Sequence, residues 1–320
     1  MGLSTYVYEK LLKSHGLSMR LWKLSRALLI KLLGDPSCSM SIHSKILKLP
    51  LSHNLPLYLS NHRFYDRLPA RLSEYIHSKY GFLKCVDVGA NIGDSIAAFN
   101  RHSNDIFLAI EPNPSSKKYL HANYGEIDNV KILDYICSSS STTGIYDIDE
   151  SSGTASITSS DSGKQMQTKT LDEIVCANPE YSGLNILKID TDGHDFEVIG
   201  GAIKVIARSL PIILFESAPF SNDTYVEDCL KTLFLLKELG YSSFIIYDNI
   251  GHLMGKYSLD NLHNFRKLLF YQLTSDVLYF DILVMKEEDI MPFFNSEITY
   301  FVEKMPNKLL QRTAKAAAEL

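Results

Sequence analysis

Apolar positions along this chain follow two rhythms. From residue 81 onward, short apolar runs bounded by turn residues alternate with longer segments in which apolar side chains recur every three or four positions. The runs predict strands at 82–88, 106–111, 130–137, 184–190, 211–216, 243–247 and 277–285. The periodic segments predict helices at 93–102, 115–124, 171–177, 195–207 and 224–239, with a further helix at 66–79 leading in. Strands that alternate with helices and lack a polar face define an α/β fold around a mainly parallel sheet. Between the third and fourth strands, residues 138–168 are rich in Ser and Thr and contain Gly144, Gly153 and Gly163. Alternation at 144–149 and 154–158 predicts a small antiparallel elaboration there. Residues 305–320 read as a loosely held helix or a frayed tail.

Residues 1–34 keep a different pattern. Leu17, Leu21, Leu24, Leu28 and Leu32 recur at helical spacing, with Trp22 and Leu29 widening the stripe. Lys10, Lys13, Arg20, Lys23, Arg26 and Lys31 stand against one acid, Glu9. Such a helix most often packs on its own domain or on a second subunit. A helix with basic residues flanking an apolar face can also lie on an anionic membrane surface, which would suit a membrane-borne substrate. Residues 34–37 read as a break, and 36–65, with Pro50 and Pro56, as irregular structure with short strands.

The most specific local signal is the passage from the first core strand into its helix. An apolar run ends in Asp87, Gly89 permits a tight turn, and a helix begins after Gly93. Strand, glycine turn and helix start form the cradle of nucleotide-like cofactors. Asp87-Val-Gly89-Ala-Asn91-Ile-Gly93 lacks the closely spaced glycines of a dinucleotide fingerprint. It leaves room for S-adenosylmethionine (SAM), which needs an acid for its ribose hydroxyls. Glu111, at the end of the next strand and about 20 residues on, stands where that acid is expected. Asp87, Gly89, Asn91, Gly93 and Glu111 are therefore the candidate cofactor-binding residues. Asp87 and Asn91 also have turn-forming roles open to them, and Asn113 reads as a helix cap.

Five segments occur in one order: VDVGANIGDS at 86–95, AIEPNP at 109–114, TKTLDEI at 168–174, ILKIDTDGHDFEVIGGA at 186–202 and PIILFES at 211–217. Together they resemble the FkbM-type family of SAM-dependent methyltransferases over roughly residues 80–285. The resemblance implies a class I methyltransferase-like (Rossmann-like) α/β fold: a mainly parallel seven-stranded sheet flanked by helices, here with an N-terminal helical extension. It implies SAM as methyl donor, a SAM site between the two glycine-containing blocks, and methylation of a hydroxyl on a sugar or secondary metabolite. The family's second block commonly reads Lys-Ile-Asp-x-Glu-Gly-x-Glu, whereas this chain has Asp192-Gly193-His194-Asp195. Adenine contacts are expected around 137–139, where many methyltransferases place an acid and this chain has serines.

Methyl transfer to a hydroxyl needs positioned reactants and somewhere for the proton to go. Asp190, at the end of a parallel strand, is a candidate base, as are Asp192 and His194, whose imidazole titrates near neutrality. Glu216 ends the neighbouring strand. Carboxylates gathered in one crevice need a compensating cation, proton or hydrogen-bond donor. Asp190 and Glu216 are accordingly candidate ligands for Mg²⁺, while Asp192 as a helix cap and Asp190 as an acceptor of backbone N–H bonds are the structural alternatives. Other histidines, among them His43, His53, His62 and His252, have no ligating pattern and default to structural or surface roles.

Composition narrows the remaining choices. A net charge of −5 argues against a general nucleic-acid binder. The five cysteines show no C-x-x-C spacing, which suits buried thiols in a reducing compartment. No apolar run reaches the roughly 18 residues of a membrane span, so a cytoplasmic location is expected, with peripheral membrane contact through 1–34 left open. The organisation expected is an extension over 1–65, a methyltransferase domain over 66–290 and a helical tail over 291–320. The acceptor is expected to be a small molecule or glycan, and a homo-oligomer remains open. A non-catalytic SAM-binding partner subunit and a nicotinamide-dependent oxidoreductase are the rival readings.

Overall fold

The computed structural model describes residues 2–100, 102–151, 154–159, 163–220, 222–275 and 279–319. Gly153, and residues 277 and 278 of the last predicted strand, lie outside the described residues. The chain begins with helices α1 (Leu3–Leu12) and α2 (Gly16–Leu33), then a hairpin of β1 (Ser37–Ile42) and β2 (Lys45–Pro50), then α3 (Leu55–Asn61) and α4 (Leu68–Tyr80). The core units follow: β3 (Lys84–Val88), α5 (Asp94–Phe99), β4 (Ile106–Ile110), α6 (Pro114–Tyr124) and β5 (Val130–Leu133). An insertion contributes β6 (Ile136–Cys137), β7 (Thr143–Ser151), β8 (Thr154–Ser159) and β9 (Lys164–Lys169). The chain then re-enters the core with α7 (Leu171–Ala177), β10 (Ile186–Ile189), α8 (Asp195–Gly200), α9 (Ile203–Ser209), β11 (Ile212–Ser217) and α10 (Tyr225–Glu238). Last come β12 (Ser243–Asp248), β13 (Leu253–Ser258), α11 (His263–Leu273), β14 (Phe280–Met285), α12 (Glu287–Glu303) and α13 (Asn307–Ala317).

The main sheet has the order β13-β12-β14-β11-β10-β3-β4-β5. The five strands from β11 to β5 run parallel, and β14 enters antiparallel between β11 and β12. Seven of these strands are the expected sheet. The eighth, β13, returns from β12 as an antiparallel edge hairpin. It escapes a sequence reading because Gly255 and Lys256 interrupt its apolar pattern and the strand is only half-buried. Successive residues of each core strand point to opposite faces. Cys85, Phe107, Ala109, Ile186 and Leu214 join one cluster, while Val86, Val88, Leu108, Ile110, Leu187 and Phe215 join the other. Tyr8 and Leu11 of α1 and Phe293 and Phe294 of α12 belong to the first of these clusters.

Several boundaries differ from the sequence reading, each for a local reason. The run 130–137 is two strands: β5 stays in the main sheet, and β6 leaves it to pair with β9 in the four-stranded inserted sheet. The helix expected over 195–207 is two, and at the break Gly201 lies so close to Ser138 that a Cβ would sit 2.1 Å from its carbonyl oxygen. Asp172 restarts the helix by accepting from the Lys204 and Val205 N–H groups. The basic segment is likewise α1 and α2, with Gly16 at φ +57° opening the second. Met19, Trp22, Leu29 and Ile30 of α2 pack on the core, and the leucine stripe faces outward. Among the described residues no helix is long and apolar enough to cross a membrane.

Candidate active site

The sheet's strand order reverses between β3 and β10, and ligands of open α/β sheets bind at the carboxyl ends of strands at such a point. The chain puts its two glycine turns there. Gly89 follows β3 at φ +81°, and a Cβ on it would sit 1.8 Å from the Asp190 carbonyl oxygen. Only glycine lets the two turns meet this closely. Asn91 and Asp192 also adopt left-handed backbone, at φ +47° and +50°, one in each turn. Such conformations persist only where their surroundings enforce them.

Above these turns lies a cavity of ≈ 700 Å³, within the usual size of small-molecule sites. One wall carries Gly89, Asn91, Glu111 and Asn113, and the other Lys188, Asp190, Thr191, Asp192, His194 and Glu216. Tyr58, Tyr65, Phe220 and Tyr279 add aromatic surface, and Tyr135, Ile136 and Cys137 line it where the inserted sheet begins. Ser138 instead sets its backbone against Gly201, so at the position expected to meet an adenine the lining residues are Ile136 and Cys137.

Asp87 and Gly93 stand behind this wall and do not line the cavity. A Cβ on Gly93 would meet the Tyr124 ring at 2.4 Å, so this glycine is required by close packing of α5 on α6. The N–H groups of Gly89 and Ala90 donate to the Ile110 carbonyl at 2.9 and 3.1 Å, and that of Gly93 to Ala90 at 2.8 Å. The turn's donors are therefore largely spent within the fold.

Glu111 is 6% exposed and accepts the Asn91 N–H and the Asn113 N–H, each at 2.8 Å. It thus ties the β3 turn to the β4 turn, a structural task that its isolation in the sequence does not suggest. Burial pushes its carboxyl up to about 7, against those two backbone hydrogen bonds. Asn113 caps α6 by accepting from Ser115 N at 2.8 Å.

On the opposite wall the compensating cation is Lys188. Its Nζ lies 3.1 Å from Asp190 Oδ2 and 3.3 Å from Asp87 Oδ1. Burial pulls the ammonium down, but Asp190 and Asp87 outweigh it and hold it well above the usual lysine range. Asp87 is fully buried and, among the described residues, its carboxylate has no polar side-chain partner beyond the Lys188 ammonium. Mg²⁺ at Asp190 and Glu216 finds no support: among the described residues, no three His, Cys, Asp or Glu side chains are grouped to hold a metal ion. An ammonium already occupies the acidic crevice beside Asp190.

Two residues that the sequence reading does not place at the site shape it. Asp195, buried at the start of α8, accepts Thr191 N and Thr191 Oγ1 at 3.1 and 2.7 Å with one oxygen and Glu216 N at 3.0 Å with the other. It ties the ends of β10 and β11 together, and burial followed by the Asp190 charge raises it to about 6. His53 is a buried wall residue, lowered to about 4 by desolvation. Its Nδ1 accepts from Leu55 N at 3.2 Å, which leaves the neutral ring's proton on Nε2, and the ring interacts with the Asn91 side chain. His194 precedes α8 with Nδ1 3.6 Å from Glu197 Oε2 and lines the cavity beside Asp192.

Strand order, paired turns and cavity define a class I methyltransferase-like protein. Residues 87–243 match the model of the Methyltransferase FkbM domain, and the chain carries that domain of a SAM-dependent methyltransferase family. Similar solved structures include methyltransferase FkbM from Methylobacillus flagellatus KT, at 15% identity over 60% of this chain and 55% of that one, TM-score 0.38. The chain therefore spans little more than half of that structure. A putative caffeoyl-CoA O-methyltransferase from Staphylococcus aureus is similar at 12% identity over 82% of this chain and 99% of that one, TM-score 0.39. Fibrillarin from Aeropyrum pernix with natively bound S-adenosyl-L-methionine is similar at 9% identity over 63% and 66%, TM-score 0.35. No curated protein sequence matches the chain.

Proposed function

We propose that this methyltransferase acts on a hydroxyl group of a sugar, glycan or related metabolite. The observation that carries the reading is the cavity with a carboxylate-bearing wall at each glycine turn. Glu111, Gly89 and Asn91 fit the donor end, since a buried carboxylate beside a close turn suits a ribose diol. Bound SAM supplies a methyl group on a sulfonium, which is its own leaving group. The protein's part is to hold the acceptor in line and take its proton. Asp190 is the proton acceptor: its side chain is half-exposed to the cavity and paired with Lys188. Asp192 and His194 hold the acceptor beside it, and the cavity's tyrosines suit the apolar faces of a sugar ring.

The test is incubation with methyl-tritiated SAM and pools of glycans and small metabolites, followed by mild alkali. Label in an alkali-stable ether is the expected result. Alkali-labile label would mean transfer to a carboxylate. Binding of S-adenosylhomocysteine with no labelled product from any pool would favour the non-catalytic subunit.

Glu111 also sets a pH dependence. A ribose diol donates to the ionised carboxylate, so S-adenosylhomocysteine affinity should rise between pH 6 and pH 8 as Glu111 passes about 7. Stability of the ligand-free protein moves the other way. Glu111 and Asp94 at about 7, and Asp195 at about 6, are raised above their unfolded values. Their contribution is full below the unfolded carboxylate range and is lost as pH climbs through 6–7. The melting temperature should thus fall toward pH 8, where the ligand should raise it most. Calorimetric titration across this range checks the first part; an affinity independent of pH would remove Glu111 from the donor site.

A further inference from the structure

The outward face of α2 is apolar and uncovered. Leu17, Leu21, Leu24, Leu28 and Leu32 lie on one side of the helix, each between 56% and 77% exposed. Scattered surface leucines are ordinary, but a continuous row on one helix marks an interaction site. The helix cannot roll to bury the row. Its opposite side is fixed by Met19, Trp22, Leu29 and Ile30, which pack against the core, and by Arg26, which donates to Leu51 O at 2.8 Å, Ser52 O at 2.6 Å and Asn54 Oδ1 at 3.0 Å.

Charge selects the occupant. Arg20, Lys23 and Lys31 are exposed beside the row, and α2 contains no acidic residue, in a chain whose net charge is −5. We propose that α2 is a docking surface for an anionic phospholipid membrane, lying in the interface plane with its leucines at the boundary between headgroups and acyl chains. At 18 residues it would lay about 27 Å of apolar edge on the bilayer. A second copy of the chain is the disfavoured occupant, because a symmetric contact would set one all-basic helix against another. Docking here is coupled to the active site. The loop that Arg26 holds continues into His53, Asn54 and Leu55 of the cavity wall, so the membrane would sit on the far side of that wall's own support.

The experiment is flotation of the full chain with vesicles of phosphatidylcholine alone and of phosphatidylcholine mixed with phosphatidylglycerol, at low and high salt. The chain should float with the anionic vesicles at low salt, and neither with neutral vesicles nor at high salt. Each cation near such a surface multiplies affinity about fivefold, so the triple variant R20Q/K23Q/K31Q should lose about a hundredfold. The variant L21S/L24S/L28S should not float while melting as the parent does, since these side chains touch little else. Failure of the parent chain to float overturns the proposal. So does a dimer by light scattering that the leucine variant dissolves while the parent ignores vesicles, which would assign the row to a second copy.

Discussion

Replacing Lys188 with methionine is expected to destabilise the fold by about 3–5 kcal/mol, the cost of leaving a buried charge without its partner. In a chain of 320 residues that is a fall in melting temperature of roughly 4–8 °C. Lys188 is 7% exposed and Asp87 is fully buried, and they are direct partners in the β10–β3 register. Burial raises the Asp87 carboxyl and Lys188 is the chief influence opposing it. Without the ammonium, Asp87 must either stay charged in an apolar setting or take up a proton. Its folded-state value would then stand further above the unfolded one, so the loss should deepen as pH rises and shrink toward pH 5. The double variant Asp87→Asn/Lys188→Met removes both charges and should recover most of the loss. Thermal melts at two pH values check this. If the single variant melts like the parent at pH 8, Asp87 is compensated by something other than Lys188.

The same pair shows where the sequence stops being legible. The need for a compensating cation, proton or hydrogen-bond donor follows from counting carboxylates at strand ends, and at Asp190 the partner is the Lys188 ammonium. Its identity does not follow, because Lys188 reads in isolation as one polar residue interrupting an apolar strand. Two facts are required to see it: period two places Lys188 and Asp190 on one side of β10, and register places Asp87 opposite Lys188. The second is a tertiary fact. Gly93 and Gly201 teach the same lesson, since each glycine was readable but its neighbour, Tyr124 or the Ser138 carbonyl, was not. The α/β order was plain because apolar runs bounded by turns are local signals, and Glu111 and Asp190 could be placed because strand ends carry the sites of this architecture. The leucines of α2 were visible too; that they face outward is decided by Trp22 and Arg26 on the other side.

Replacing Asp190 with asparagine should reduce turnover by about 10²–10⁴, the usual value of a positioned general base. S-adenosylhomocysteine affinity should change little. The substitution is suited to separating chemistry from folding. Asparagine keeps the size of the side chain and can still accept from Lys188, whose ammonium retains Asp87 at 3.3 Å, but it cannot take a proton at neutral pH. The loss should therefore fall on kcat, with KM for the acceptor nearly unchanged, because the interaction removed exists only as the proton moves. His194→Gln makes the contrast: a residue that only holds the acceptor should raise KM and spare kcat. If His194→Gln instead carries the larger loss in kcat and Asp190→Asn is nearly silent, the proton goes to the imidazole, and the Asp190–Lys188 pair serves only to keep Asp87 buried. Steady-state kinetics of the two variants with one acceptor decide between these assignments, and a normal melting temperature for Asp190→Asn excludes misfolding as the cause.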